Sequence, residues 1–593
     1  MPFIFLRQRG AYALACLAIL SFSINVFAGE PKGKKQDAAG ASTFTTHSEL
    51  VLVPAIVTDR SGAHMRGIGK PDFAVFDNGV EQTISTFEEV TTTSAPVHRE
   101  PNANGIYTNA LAVGPEARRL NILVFDLVNT SFTDQEFARA EILKFLEKSA
   151  SSDQLTALLS FTRSGEVKVV HDFTSDNRVL LEALRKMKGK IHAMAGENQE
   201  AEAEANAGLM PVTAFGSSPE DFLVNDMMRM MDAKAAQVAR GAAIQSTLDA
   251  FHNIALAYSG VPGRKALIWV TGSFPFRLDT VTPSMVSDPS LNSAALCLCD
   301  RIEPERMGFA ERWKVIMDQF NDANIAVYPV DARGLTVVGF TASSTNPMSA
   351  ARRIDVSRFN SQLRAQFDAE RNTLETMINF AAMTGGRAFY NTNDIAGSAE
   401  RAAEDSAHYY VLGYYRKPKP GEKPSWHRLQ VKVRREHTHV RARSGYLVVE
   451  PNSEEQAFRA DLANAASSPF DFTGIPLSFR FNGEGANDAS GKKQLPFAVK
   501  LNAGVLRTNP DNNNFMSLEF VVVARDAAMK MVDQRNRHLE GHLTAESLRK
   551  LSVEGLTYQS QLVLPPGDYS VRVVVRDNVS GRVGGLQAPL KVQ

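Results

Sequence analysis

Cysteine is nearly absent from this chain, with three among 593 residues. Cys16 falls in an N-terminal leader without a convincing lipobox, since Ala13 stands where Leu is preferred. Cys297 and Cys299 are separated by one residue in LCLCD, which leaves a strained local disulfide, inert thiols or a metal pair open. A structural zinc site needs four ligands, and no CxxC or HExxH supplies the others. An excess of charge is missing as well: Lys plus Arg and Asp plus Glu number 65 each, so no global field draws nucleic acid or an anionic membrane. Beyond the leader no run approaches ~18 apolar residues, which excludes a membrane-spanning helix from the mature chain. Catalytic signatures are lacking too. There is no GxSxG elbow, and the SxxK spacings at Ser490–Lys493 and Ser547–Lys550 come after Ser175–Asn177 with no Lys-Thr-Gly anywhere.

What is present is ordinary globular protein, 44% hydrophobic and 22% charged, long enough for about three or four domains at ~150 residues each. Arg7 and Arg9 precede an apolar run, Ala11 to Leu20, and then Val26-Phe27-Ala28. This is the pattern of a secretory signal over 1–28, cut after Ala28, and it predicts a secreted or periplasmic chain. Residues 29–46 read as a flexible leader. Strand patterns joined at Asn78-Gly79 make 47–92 a small N-terminal β module, and Pro96, Pro101 and Pro115 mark 93–119 as a linker.

Residues 120–407 alternate strand and helix patterns. Strands are expected at Leu120–Val128, Gln154–Phe161, Glu166–Phe173, Lys265–Thr271, Ile325–Val330 and Arg387–Tyr390. Helices are expected at Gln135–Lys148, Arg178–Met187, Asp221–Tyr258, Arg306–Asn321 and Ala365–Met383. The order predicts an α/β fold, doubly wound, with a mainly parallel sheet and helices on both faces. Only Arg163-Ser164-Gly165 precede Glu166–Phe173, too few residues for a crossover, so this should be an antiparallel edge strand. Insertions follow at Gly196–Asn206, Phe274–Pro304 and Leu335–Asn360. Residues 408–450 read as a β extension, and 455–593 as a C-terminal β-sandwich.

Several segments in order, VTDRSGAHMRGIGKPDFAVFDNGVEQTISTF, LNILVFDLVNTSFTDQ, GVPGRKALIWVTGSFP, IAVYPVDARG, TGGRAFYNTND and YYVLGYY through VRARSGY, carry a resemblance over about 48–448. Together they resemble the VWFA-related proteins abundant in Acidobacteria, which have a von Willebrand factor type A domain between β segments. The resemblance implies a secreted, non-catalytic protein whose domain binds ligands at the carboxyl edge of its sheet. It also implies a metal-ion-dependent adhesion site, and that motif is degenerate here. The family's DxSxS falls on Asp126, Val128 and Thr130, and Gly272 stands in Thr271-Gly272-Ser273 where an acidic residue is expected. A hard divalent cation wants about six oxygens, and Val128 offers none. No cofactor is therefore expected, with Mg²⁺ or Ca²⁺ at Asp126 and Thr130 as the alternative. The competing reading is helix capping by Thr130 or Ser131, with Asp134 in the first turn.

The candidate ligand-binding residues are Asp126, Asn129, Thr130, Ser131, Asp134, Thr271 and Ser273. The expected partner is a protein or peptide. A structural subunit that assembles through its β modules, or a hydrolase of unrecognised type, is the alternative. Elsewhere, Asp331 should pair with Arg333, His437 and His439 sit on a solvated face, and Met227, Met228, Met230 and Met231 pack along one helix. GVPGRK, Gly260–Lys265, lacks the phosphate-loop spacing and should be the turn into the next strand.

Overall fold

Asn78 and Gly79 take positive φ, 48° and 83°, the geometry of a tight hairpin that few other residue pairs adopt without strain. They join β2 (Phe73–Asp77) to β3 (Val80–Gln82), between β1 (Glu49–Thr58) and β4 (Thr86–Thr91). The computed structural model describes residues 49–92, 105–110, 119–149, 154–162, 167–187, 241–274, 303–335, 371–417, 425–448, 462–502 and 514–593, apart from a few isolated positions. The signal and leader, most of 93–119, the methionine cluster, the cysteine pair and Ser273 lie outside the described residues.

The N-terminal strands do not close a module by themselves. β11 (His408–Arg416) pairs with β1 from Glu49↔Arg416 to Ala55↔Tyr410, and β12 (Ser425–Val433) pairs with β2. With β13 (His439–Ala442) and β14 (Gly445–Val448) they form two four-stranded antiparallel sheets, ordered β13-β1-β11-β4 and β14-β12-β2-β3. Val53, Val75, Tyr410, Leu412 and Val431 fill the space between them. The segments expected as an N-terminal module and a separate β extension are thus one sandwich, closed across the chain between them.

Between these strands lies a five-stranded sheet, β10-β9-β6-β7-β8, built from β6 (Leu120–Asp126), β7 (Leu155–Phe161), β8 (Val167–Thr174), β9 (Lys265–Thr271) and β10 (Ile325–Asp331). Its first four members pair in parallel, and β8 pairs antiparallel to β7 at the edge. All seven residues of β6 are buried, because apolar layers cover both sides. One layer sets Ile122 and Val124 against Phe251, Trp269 and Phe380. The other sets Leu123 and Phe125 against Ile142 and Phe145 of the helix Phe132–Lys148 and Ala399 of the helix Ile395–Glu404. Arg387–Tyr390 is not a strand; it contributes a single bridge, Val330↔Phe389.

The C-terminal region is another antiparallel sandwich. One sheet orders β15 (Phe472–Thr473), β23 (Val583–Val592), β22 (Gly567–Asp577), β19 (Phe515–Asp526) and β20 (Met531–His542). The second holds β17 (Ala486–Asn487), β18 (Lys493–Leu501), β16 (Leu477–Phe481) and β5 (Ile106–Thr108), with β21 (Leu556–Leu564) also on β18. β5 comes from the expected linker and pairs with β16 through Tyr107↔Phe479. Phe470, Phe472, Val574 and Val583 pack into the same layer as Ile122 and Trp269, so this sandwich is seated against the central sheet.

The expected fold class is corrected by these pairings. The chain is mostly β, and among the described residues four of its five sheets are wholly antiparallel, so it is not a doubly wound parallel α/β fold with helices on both faces. Parallel pairing requires crossover connections of a dozen or more residues. Outside the central region many neighbouring strands meet through short turns, such as Asn78-Gly79 and Asp526–Lys530, which impose antiparallel pairing.

Candidate functional site

β6 ends in Asp126, a side chain with no solvent exposure. Its Oδ1 accepts the backbone N–H groups of Val128 and Asn129, both at 3.0 Å, and so fixes the turn that follows. Its Oδ2 accepts from the Asn129 amide at 2.8 Å, the Thr271 hydroxyl at 2.9 Å and the Trp269 indole nitrogen at 3.0 Å. A carboxylate offers about four lone-pair positions, and five donors already address this one. Burial, the largest influence, pushes the Asp126 pKa above the ordinary carboxylate value, against the hydrogen bonds from Asn129, Thr271 and Trp269.

The indole is held by rings on several sides. It stacks on Phe380 at 5.1 Å and meets Phe251 and Phe274 edge-on at 5.0 and 5.7 Å, contacts worth roughly 0.5–1.5 kcal/mol each beyond area burial. Trp269 and Thr271 are two residues apart on β9 and so share the face toward Asp126. That alternation was available in the sequence; the apolar run around Trp269 masked its polar edge.

The neighbouring loops are stitched to this carboxylate turn. Thr130 Oγ1 accepts the Gly272 N–H at 2.9 Å, and the Asn129 amide also donates to Thr247 at 2.9 Å on the helix 241–258. A Cβ at Gly272 would stand 3.2 Å from both the Asn129 carbonyl oxygen and Thr130 Cα, so an acid at this position would crowd the turn backbone by a few tenths of an ångström. Ser131, rather than Thr130, caps the helix Phe132–Lys148: it accepts the Asp134 N–H at 3.4 Å and donates to the Asp134 carboxylate at 2.7 Å. Burial raises the Asp134 pKa, opposed by the Ser131 hydrogen bond and the Arg333 charge.

This donor set does not suit a hard divalent cation. Asp126 is surrounded by groups that donate to it, Val128 has no oxygen, and Gly272 brings no carboxylate. Thr130 is buried and already accepts a backbone N–H. Of the expected ligand-binding residues, Asp126, Asn129, Thr130 and Thr271 are brought together as a lock beneath the rim, while Ser131 and Asp134 reach its surface.

The adjoining β10 turn completes the rim. Arg333 donates to both oxygens of Asp331 at 2.9 and 2.8 Å, and the Ala332 N–H donates to the Thr271 carbonyl at 2.9 Å. Gly334 takes φ 73°, and a Cβ there would lie 2.5 Å from Asn393 Oδ1 and 3.3 Å from the Phe137 ring. Its lack of a side chain lets the turn lie flat against Phe137, and Leu335 is then pinned by its N–H to Asn393 Oδ1 at 2.9 Å. Phe137 is 37% and Leu335 60% exposed. Sequence reasoning overlooked both. At the opposite end of β9, Lys265 is buried and its ammonium donates to the Val261 and Gly263 carbonyls at 2.5 and 3.0 Å, which makes GVPGRK a packed turn. His437 and His439 are exposed.

No family model matches this chain, and no curated protein matches it. Among solved structures, a Bacteroides uniformis beta-glucuronidase is similar at a TM-score of 0.14 and 9% identity, over 31% of this chain and 19% of that one. The chain spans about a fifth of that enzyme's length in the match, and a likeness this slight carries no argument.

Proposed function

We propose that this chain is a non-catalytic interaction protein of the secreted or periplasmic compartment, which binds a protein or peptide at the carboxyl-end rim of its central sheet. The observation that carries the reading is the exposed apolar pair Phe137 and Leu335 on a rim fixed by hydrogen bonds and bordered by Asp134 and the Asp331–Arg333 ion pair. Aromatic and Arg side chains on a preorganised surface are the residues that anchor protein contacts, because little side-chain freedom is lost when they are covered. The buried Asp126 acts in this reading as the organiser of the rim, with no cation required. The signal-like N-terminus and the resemblance to VWFA-related proteins, both carried by sequence alone, point the same way. Among the described residues no helix is long and apolar enough to cross a membrane.

The test compares the mature chain with a Phe137→Ala, Leu335→Ser double variant as immobilised bait for envelope extract. The expected result is a partner retained by the parent and released by the variant, at matched thermal midpoints. Equal retention by both, or retention by neither, sinks the reading.

A further inference from the structure

We propose that the free edge of β8 is a second binding site, distinct from the Phe137–Leu335 surface, which takes a short extended peptide with apolar side chains and an acidic group. A groove of about 940 Å³ is lined by Val167, Lys168, Val169 and Val170 of β8. Its walls come from helix 177–187 and helix 241–258. Those helices pack in the two different apolar layers of the central sheet, through Leu184 and Phe251 respectively, so a groove touching both must run along the sheet's edge. Among the described residues β8 pairs only with β7.

Such an edge presents backbone N–H and C=O groups in alternation, and an extended peptide backbone is the partner that satisfies both. Pairing is regular from Phe161↔Val167 to Leu159↔Val169 and is then interrupted by register shifts, which limits the site to a short segment. Side chains of a docked strand alternate between the two walls. Met187 lines the groove from helix 177–187, and Phe470 and Met529 line it from the C-terminal sandwich.

Two details give the groove chemical preference. Met529 is 64% exposed and takes φ 62°, uncommon outside glycine, at the tip of a hairpin held by Asp526, whose Oδ1 accepts the Ala528 and Lys530 N–H groups at 2.9 Å. An exposed thioether at a groove mouth is an adaptable apolar contact. Asn253, on the wall, has a buried Oδ1 without a hydrogen-bond partner among the described residues. Among the charged residues lining the groove, Glu182 is paired with Lys186 and Asp249 with Arg312, which leaves Lys168 as the cation without an ion pair among the described residues. That imbalance selects a carboxylate on the ligand.

The probes are fluorescein-labelled hexapeptides alternating valine with glutamate, lysine or serine, titrated into the full chain and followed by anisotropy. Saturable binding of the glutamate peptide is expected, with slowed amide exchange over 167–170 and unchanged exchange over 333–335. Lys168→Glu should weaken it by roughly two- to fivefold, the scale of one surface charge contact, and Met529→Asp should weaken it as well. Failure of all peptides to bind, protection elsewhere than β8, or indifference to both substitutions overturns the proposal. Self-association that protects β8 without peptide also overturns it, by assigning the edge to a second copy.

Discussion

The Trp269 indole nitrogen donates a hydrogen bond to Asp126 Oδ2 at 3.0 Å, in a place where neither group meets water. Trp269→Phe keeps most of the ring packing and deletes this donor. Oδ2 keeps its Asn129 and Thr271 donors, so the loss is that of one hydrogen bond, about 0.5–1.5 kcal/mol, and the urea midpoint should fall accordingly. Asp126→Ala should destabilise as well, and the double variant should show a coupling of about 0.5–3 kcal/mol in a mutant cycle. Strict additivity of the two changes would mean that the hydrogen bond contributes nothing.

Mg²⁺ and Ca²⁺ should give no stoichiometric calorimetric heat assignable to Asp126, because coordination would require its donors to turn away. Restoring the resemblance's acid with Gly272→Asp should reduce stability rather than create a cation site, since any Cβ there meets the 129–130 backbone at 3.2 Å. A one-to-one micromolar heat that Asp126→Ala abolishes would contradict this account.

Much of the central sheet was readable because its signals are local. The unbroken apolar run of β6 announces burial on both sides, and the short connection Arg163–Gly165 dictates an antiparallel β8. The first sandwich was not readable, because Glu49↔Arg416 joins residues far apart in the chain and the periodicity of β1 carries no record of its partner. The expectation of a doubly wound α/β fold flanked by separate β modules failed in part for that reason. Arg387–Tyr390 looked like a strand, yet Gly386 is pressed against the Val327 backbone, where a Cβ would lie 2.0 Å from its carbonyl oxygen, and only Phe389 bridges to β10. At the rim, Asp126 was conspicuous through its position after β6. Phe137 and Leu335 were not, since exposure depends on the turn at Gly334.

A carboxylate clamp should govern stability in acid. Asp405 receives both guanidinium nitrogens of Arg441 at 2.6 and 2.8 Å and lies 3.1 Å from His64 Nε2, which ties the helix Ile395–Glu404 to the first sandwich. Burial alone would raise its pKa, but the hydrogen bonds from His64 and Arg441 and the Arg441 charge outweigh it and hold the carboxyl at about 2. A depressed folded-state pKa contributes stability above the ordinary carboxylate value and loses it as pH falls toward 2. Asp405→Asn should therefore cost about 2–3 kcal/mol at neutral pH and much less near pH 2, by chemical denaturation. A deficit of equal size at both pH values would refute the clamp's ionic character.

The opposite dependence belongs to Asp318 and Asp322, one helical turn apart on the helix Glu303–Asp322. Asp318 Oδ1 accepts the Leu447 N–H at 3.0 Å. Burial, with the Asp322 charge added, pushes Asp318 up to about 7; burial also raises Asp322, against the charges of Arg443 and Arg582. A folded-state pKa above the unfolded one contributes stability that is complete below the unfolded value and disappears as pH rises through the folded value. This pair should thus make the stability of the parent chain decline from about pH 4 to 7, separately from the Asp405 effect at lower pH. Asp318→Asn keeps an oxygen for Leu447 and removes the titrating charge, so its denaturation midpoint should stay flatter from about pH 4 to 7 and exceed the parent's at the upper end. Parallel pH profiles for parent and variant would show that the pair is ionised throughout and that Arg443 and Arg582 compensate for its burial.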